Sequence, residues 1–203
     1  MTGRSVFWIS GWTIPAHTLA GMATKAMPGW RHDAVDAGPD AAARAIASPA
    51  DFLGGFSFGA HLLLGIDDPR PRILLAPFVD LKSEAGLGGA VATVQIRQQL
   101  RQLRRDPASA VADFRRRIGA APPAAEDGPF DVERLAWGLE RMLENSGAPA
   151  PLPEGSIAVA GNADPLLDAA KLAGILTSLR IVDAGHQPEP LLAATAALLQ
   201  DVG

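Results

Sequence analysis

The stretch 51–64, Asp-Phe-Leu-Gly-Gly-Phe-Ser-Phe-Gly-Ala-His-Leu-Leu-Leu, constrains the chain more than any other. Gly55-Phe56-Ser57-Phe58-Gly59 fits G-x-S-x-G, a strand–turn–helix unit whose sharp turn lifts a serine hydroxyl above a sheet. Side chains two residues to either side of that serine would collide with neighbouring backbone, so glycine stands there. The same turn aims backbone N–H groups at negative charge developing beside the hydroxyl. With 21 glycines in 203 residues the pattern can arise by chance, so its surroundings decide. Phe52-Leu53 is an apolar run before the turn, and residues 60–66 form a plausible helix after it.

The rest of the chain repeats that alternation. Residues 5–10 are an almost continuous apolar run, as in a strand buried on both faces. Residues 18–26 read as a helix stopped by Pro28-Gly29, residues 30–35 as a short strand, and residues 39–47 as an alanine-rich helix ended at Pro49. Residues 72–77 make the next buried strand. The order predicts a compact, mostly parallel α/β sheet. After Phe78 the pattern changes. Residues 83–89 read as flexible, and 91–105, 106–118 and 131–145 as three helices, with Pro107 at a helix start and Asp131 as a cap. Pro/Ala linkers fall at 120–129 and 147–153. Strand character returns at 156–160 and 179–182, with helices at 167–176 and 190–202. Residues 1–86 and 151–203 therefore form one α/β core, and residues 87–150 a helical cap inserted before the last two strands.

Composition narrows the classes. There is no cysteine, which excludes disulfides, thiolate metal sites and cysteine nucleophiles and fits a reducing cytoplasm. A net charge of -4 gives no overall reason to expect nucleic acid or an anionic membrane as partner. No apolar run approaches the ~20 residues of a membrane span, and Val6 to Ile9 is too short for a signal-peptide core. A soluble cytoplasmic monomer without cofactor or metal is expected.

Four elements fall at the C-terminal ends of the predicted strands, where open α/β sheets build their sites. They are Gly11-Trp12, Ser57, Asp164 and His186. A serine hydroxyl needs a base to take its proton, and imidazole titrates in the right range. His186 follows the last strand after a glycine and is the candidate base; Asp164 is the candidate acid that orients it, with Asp168 and Asp183 as competitors. Asp168 suits a helix cap better, and Asp183 lies too close to His186 to aim easily at its ring. The backbone N–H groups of Phe58 and Trp12 are the candidate oxyanion donors. His61 reads as structural, packed beneath the site, and His17 and His32 as surface residues.

The order serine, aspartate, histidine resembles the α/β-hydrolases. Within them, the Gly11-Trp12 loop, the Gly-Phe-Ser-Phe-Gly elbow, Gly161-Asn-Ala-Asp164 and Gly185-His186 resemble the pimeloyl-acyl-carrier-protein methyl ester esterases of biotin synthesis. That resemblance implies a serine carboxylesterase acting through an acyl-enzyme. It places Trp12 at the acyl site and matches Phe114 to Ile118 with a cap helix whose phenylalanine faces substrate. It also implies that basic cap residues meet the carrier protein. The chain departs from the family in opening on what would be an interior strand, so the early antiparallel strands are reduced. Alternative readings are an acyl thioesterase or general carboxylesterase, and a non-catalytic acyl- or partner-binding module of the same fold.

One charge asymmetry bears on the partner. Arg97, Arg101, Arg104, Arg105, Arg115, Arg116 and Arg117 stand against only Asp106 and Asp113 between residues 93 and 118. The first four share a helix face at i, i+3 and i+4 spacing. Such a stripe is either a solvated face or a surface for an acidic partner such as acyl carrier protein. Nucleic acid is disfavoured because aromatic residues do not interleave with the arginines.

Overall fold

The computed structural model describes residues 3–122, 129–144, 151–176 and 178–200. Its strands are β1 (Ser5–Ile9), β2 (Arg31–Val35), β3 (Phe52–Phe56), β4 (Arg72–Leu75), β5 (Ile157–Gly161) and β6 (Leu179–Val182). Its helices are α1 (Ala16–Ala26), α2 (Ala41–Ala47), α3 (Phe58–Leu64), α4 (Thr93–Arg105), α5 (Pro107–Arg117), α6 (Val132–Glu144), α7 (Ala169–Ala173) and α8 (Pro188–Gln200). The strands form one sheet in the order β2-β1-β3-β4-β5-β6, with every pairing parallel. Burial follows position. Every residue of β4 is buried, whereas β2 and β6, at the two edges, expose residues at several positions. Continuous apolar runs mark the interior strands because both of their faces are covered.

From β1 the chain crosses to one edge and then returns to the other side of β1. The order therefore reverses between β1 and β3, which are paired from Val6↔Phe52 to Ile9↔Gly55. Clefts for ligands open at such a reversal, beyond the strands' C-terminal ends. The Gly11-Trp12 loop and Ser57 both emerge there.

Local contacts set most element ends. Pro15 caps α1, and the Asp36 carboxylate accepts from Ala16 N–H at 2.7 Å, so the helix starts two residues before the periodicity suggests. Asp106 accepts from Ser109 N–H with Pro107 in the first turn of α5. Asp131 accepts from Arg134 N–H at 3.0 Å and caps α6. The segment 83–89, read as flexible, is ordered. Ser83–Ala85 is a turn of 3-10 helix, and Ala90 N–H donates to the Leu166 carbonyl at 2.8 Å. That tie occupies Leu166, and a bridge pairs Leu167 with Gly89, so the helix expected from 167 begins only at Ala169, after its cap Asp168. His32 is also not a surface residue. It is half-buried, accepting from Trp8 Nε1–H at 3.1 Å and donating from Nε2 to the Met27 carbonyl at 3.1 Å. Parts of both Pro/Ala linkers, Asn145 and the last residues of the terminal helix lie outside the described residues.

Helices α4, α5 and α6 are inserted between β4 and β5 and pack on one another through Ile96, Leu103, Val111, Leu135, Leu139 and Met142, all buried. Hydrogen bonds tie Gln99 to the Ala110 carbonyl and Gln102 to Asp113, joining α4 to α5. Arg104 pairs with Glu140 at 2.5 Å, joining α4 to α6. Among the described residues no helix is long and apolar enough to cross a membrane.

One of the tightest approaches in the core is between α3 and the end of β1. A Cβ on Gly59 would stand 2.1 Å from the Ile9 carbonyl oxygen and 2.5 Å from that of Ser10. Both obstacles are backbone, so neither can rotate away. We expect Gly59→Ala to cost about 3 kcal/mol or more, lowering Tm by about 6 °C or more in a chain of this size. A thermal melt matching the wild type would refute the constraint.

Candidate active site

Ser57 stands between β3 and α3 with φ 53° and ψ -113°, a conformation that few non-glycine residues adopt. Its N–H donates to the Leu75 carbonyl at 2.8 Å, and its carbonyl accepts from His61 N–H at 3.0 Å. Strand and helix thus hold the residue from both sides in a strained turn. A Cβ on Gly55 would meet Ala60 Cα at 2.6 Å, which explains the first glycine of the elbow as Gly59 explains the second.

The loop after β5 carries Asp164, and the loop after β6 carries His186. The two loops are joined by Asn162 N–H to the Val182 carbonyl at 2.9 Å and Ala163 N–H to the Ala184 carbonyl at 3.0 Å. Asp164 Oδ1 accepts from Leu166 N–H at 2.8 Å, fixing the carboxylate. Its Oδ2 accepts from His186 Nδ1–H at 2.6 Å. A carboxylate only accepts, so the imidazole proton sits on Nδ1 and leaves Nε2 as an acceptor. Ser57 Oγ–H donates to that nitrogen at 2.8 Å. The result is a continuous chain from carboxylate to imidazole to hydroxyl with all three side chains buried, His186 to 1% exposure. The competing aspartates are elsewhere. Asp168 accepts from Lys171 N–H at the start of α7, and Asp183 is exposed.

Phe58 follows the serine at the start of α3, and Trp12 lines the same cavity as Ser57. The N–H groups of Trp12 and Phe58 have no hydrogen-bond partner among the described residues. Phe58 opens α3, where N–H groups are unsatisfied within the helix. Trp12 is held by its side chain: Nε1–H donates to the Leu135 carbonyl of α6 at 2.8 Å, and Phe114 of α5 meets its ring edge-on with centroids 4.7 Å apart. Gly138 lets α6 come this close, since a Cβ there would stand 2.9 Å from Trp12 Cδ1 and 3.2 Å from Phe58 Cε1.

Above Ser57 lies a narrow cavity of about 30 Å³. Trp12, Phe114, Leu139, Met142 and Leu166 give it apolar walls, and Gln95, Gln99 and Arg117 add polar groups. A larger groove of about 450 Å³, lined by Arg4, Ser156, Arg180 and Leu198, lies at the opposite, N-terminal end of the strands and holds neither Ser57 nor His186. Among the described residues no group of three or more metal-ligating side chains comes together.

Two cap expectations are corrected. Arg115, expected on a carrier-binding surface, is buried at 4% exposure, and its Nε–H donates to the Thr13 carbonyl at 3.1 Å. Ile118, expected to touch substrate, is buried just after the last turn of α5 and lies outside the cavity lining. The remaining arginines separate. Arg104 pairs with Glu140, and Arg116 pairs with Asp113 at 2.8 Å. At about 100° per residue, Arg97, Arg101 and Arg105 point about 165° away from Gln95, Ile96 and Gln99, which line the cavity. Only Arg117 of the seven belongs to the cavity rim. The Arg115–Thr13, Leu135–Trp12 and Gly138 contacts were not foreseen from the sequence. The one signal for them was a glycine inside a strongly helical run, where it costs about 1 kcal/mol unless packing requires it.

His61 packs behind the serine turn. Its ring stacks on Phe58 and Phe78, with centroids 6.0 and 4.7 Å away, and Nδ1–H donates to the Phe78 carbonyl at 3.0 Å. Burial pushes its pKa below the ordinary 6.5, against a smaller opposing effect of that hydrogen bond.

No protein-family model matches the chain, and no curated protein matches it in sequence. Solved structures do match it in fold. The bottromycin epimerase BotH, solved with bottromycin A2, aligns with TM-score 0.69 and 16% identity over 98% of this chain and 90% of that one. The enol-lactonase from Burkholderia xenovorans LB400 gives 0.66 and 15% over 100% and 91%. The RedJ thioesterase of the prodiginine pathway in Streptomyces coelicolor gives 0.59 and 17% over 96% and 89%. The chain therefore has the α/β-hydrolase fold. Likeness at this identity speaks for the fold alone. An epimerase stands beside a lactonase and a thioesterase, so activity has to be argued from the site.

A lowered histidine pKa has a definite consequence for stability. Unfolded chains bind the proton near pH 6.5, while the folded chain resists it to lower pH. The contribution of neutral His61 and His32 is complete above pH 6.5 and is lost as pH falls toward their folded values. Urea midpoints should fall between pH 7.5 and 5.5, and less steeply for His61→Gln. Equal slopes would show that His61 is not held neutral.

Proposed function

We propose that the protein is a serine carboxylic ester hydrolase. The observation that carries this reading is the Ser57–His186–Asp164 hydrogen-bond chain, together with the Trp12 and Phe58 N–H groups that have no partner among the described residues. Ser57 Oγ attacks the ester carbonyl while His186 Nε2 takes its proton. The oxyanion is held by Trp12 and Phe58 N–H. Imidazolium, stabilised by Asp164, returns the proton to the departing alcohol and leaves an acyl-enzyme. Water, deprotonated by the same nitrogen, releases the carboxylic acid and restores Ser57.

The closed cavity holds about one or two water molecules. An acyl chain of several carbons enters only when the cap helices lift, and its apolar body then lies against Trp12, Phe114 and Met142. For the finer specificity we propose the methyl ester of a pimeloyl group on acyl carrier protein, with methanol leaving. What supports it is the family resemblance of the site loops, the apolar cavity, and unpaired arginines on the cap. Arg97, Arg101, Arg105 and Arg117 have no ion-pair partner among the described residues.

The decisive assay compares carrier-bound pimeloyl methyl ester, its free methyl ester and a p-nitrophenyl ester, with a carrier-bound thioester as competitor. The proposal expects hydrolysis at the methyl ester, with kcat/KM for the carrier-bound form at least about ten-fold above the free ester. Ser57→Ala should lower kcat by about 10⁶-fold and Asp164→Asn by about 10⁴-fold. Preferential cleavage of the thioester would make the protein a thioesterase. No turnover of any ester, unchanged by Ser57→Ala, would leave only a binding module.

A further inference from the structure

The loop that carries the Trp12 N–H is held in an unfavourable conformation by the cap. Thr13 has φ 92°, in the left-handed region, and a β-branched residue there is a genuine outlier. Its hydroxyl is buried with no hydrogen-bond partner among the described residues, so its own side chain does not compensate. What meets the strained residue comes from 102 residues away in sequence. Arg115 in the last turn of α5 directs both Nε and Nη2 at the Thr13 carbonyl, from a buried position. Phe114, its neighbour in the same turn, packs edge-on against Trp12. The Leu135 carbonyl of α6 accepts a hydrogen bond from the indole N–H. Among the described residues, the hydrogen bond that the core side of the loop adds is the turn bond from Ile14 N–H to the Gly11 carbonyl at 3.3 Å.

We infer that Arg115 is a positioning residue for the oxyanion site: by gripping the Thr13 carbonyl it fixes the Gly11–Thr13 backbone so that the Trp12 N–H faces the reacting carbonyl only when the cap is seated. The inference rests on the proposed ester hydrolysis and goes beyond it, since Arg115 touches neither substrate nor Ser57. A planar guanidinium suits the task, because Nε and Nη2 can address one carbonyl oxygen together while burial keeps water from competing. The strain at Thr13 supplies the other half of the device. A loop at rest in a favourable conformation would keep its place without a clamp, whereas this one relaxes when the clamp is removed. Lifting of the cap to admit substrate then releases the Trp12 loop, and reseating of the cap assembles the oxyanion site.

The test uses the full-length chain and two variants, Arg115→Lys and Arg115→Met. Burst titration with a p-nitrophenyl ester counts competent Ser57 in each preparation, and kinetics are expressed per competent site. A trifluoromethyl ketone, which adds to Ser57 as a tetrahedral oxyanion, reports the oxyanion site. The free carboxylic acid product reports ground-state binding. Complete loss of an oxyanion donor costs about 10²–10³-fold, so loosening one should lower kcat about 10–10²-fold in Arg115→Met. KM and product affinity should stay within about three-fold, and ketone affinity should fall in parallel with kcat/KM. Arg115→Lys, able to give one bond in place of two, should fall between. Unchanged kcat and ketone affinity per competent site would overturn the inference. So would losses in both variants that follow the titre alone, since Arg115 would then only hold the cap's fold. Wild-type protein that gives no burst and binds no ketone overturns the hydrolase reading itself, and is seen before any substitution is made.

Discussion

The first turn of α3 lies against the end of β1 so closely that Gly59 has no room for a Cβ. The rest of the site depends on that contact. It brings the serine turn beside the loop that follows β1, so Trp12 and Ser57 line one cavity. It also places Ser57 at the reversal of strand order, where the β5 and β6 loops arrive from the other side. The strain at Ser57 is sustained because β4 holds its N–H and α3 its carbonyl. The tautomer of His186 then follows from Asp164, and Asp164 in turn from Leu166 N–H.

The cap is more than a cover over this arrangement. Its inner surface reaches the core through the Trp12 loop: an indole bonded to the Leu135 carbonyl, an aromatic edge against Phe114, a guanidinium on the Thr13 carbonyl, and a glycine that lets α6 sit on Trp12. Its outer surface carries arginines that have no ion-pair partner among the described residues. Two of the seven cap arginines are held by acidic neighbours and one is buried, which leaves Arg97, Arg101 and Arg105 facing solvent and Arg117 at the cavity. A partner on the outer face and a substrate beneath the inner face would therefore act on the same three helices.

The core was legible in the sequence because its signals are local and redundant. Buried parallel strands leave unbroken apolar runs, and the elbow glycines and the residues at strand ends stand at spacings that the chemistry itself sets. The cap's internal geometry was not legible. Seven arginines on two helices look alike in sequence, yet long-range packing buries Arg115 and turns Arg117 to the cavity. Ile118, just past the last turn of α5, is buried by the same packing. The segment at 83–89 read as flexible because its order comes from a distant partner, Leu166. The helix after β5 was drawn two residues too early for the same reason. His32 read as a surface residue because the indole that binds it lies 24 positions away.

The most direct measurement is the intact mass of the protein after reaction with a fluorophosphonate, followed by peptide mapping. A serine hydroxyl bonded to His186 Nε2 should take one phosphonyl group per chain, on Ser57, and Ser57→Ala should take none. A wild-type chain that stays unlabelled, or that carries the group on another residue, would contradict a nucleophilic Ser57.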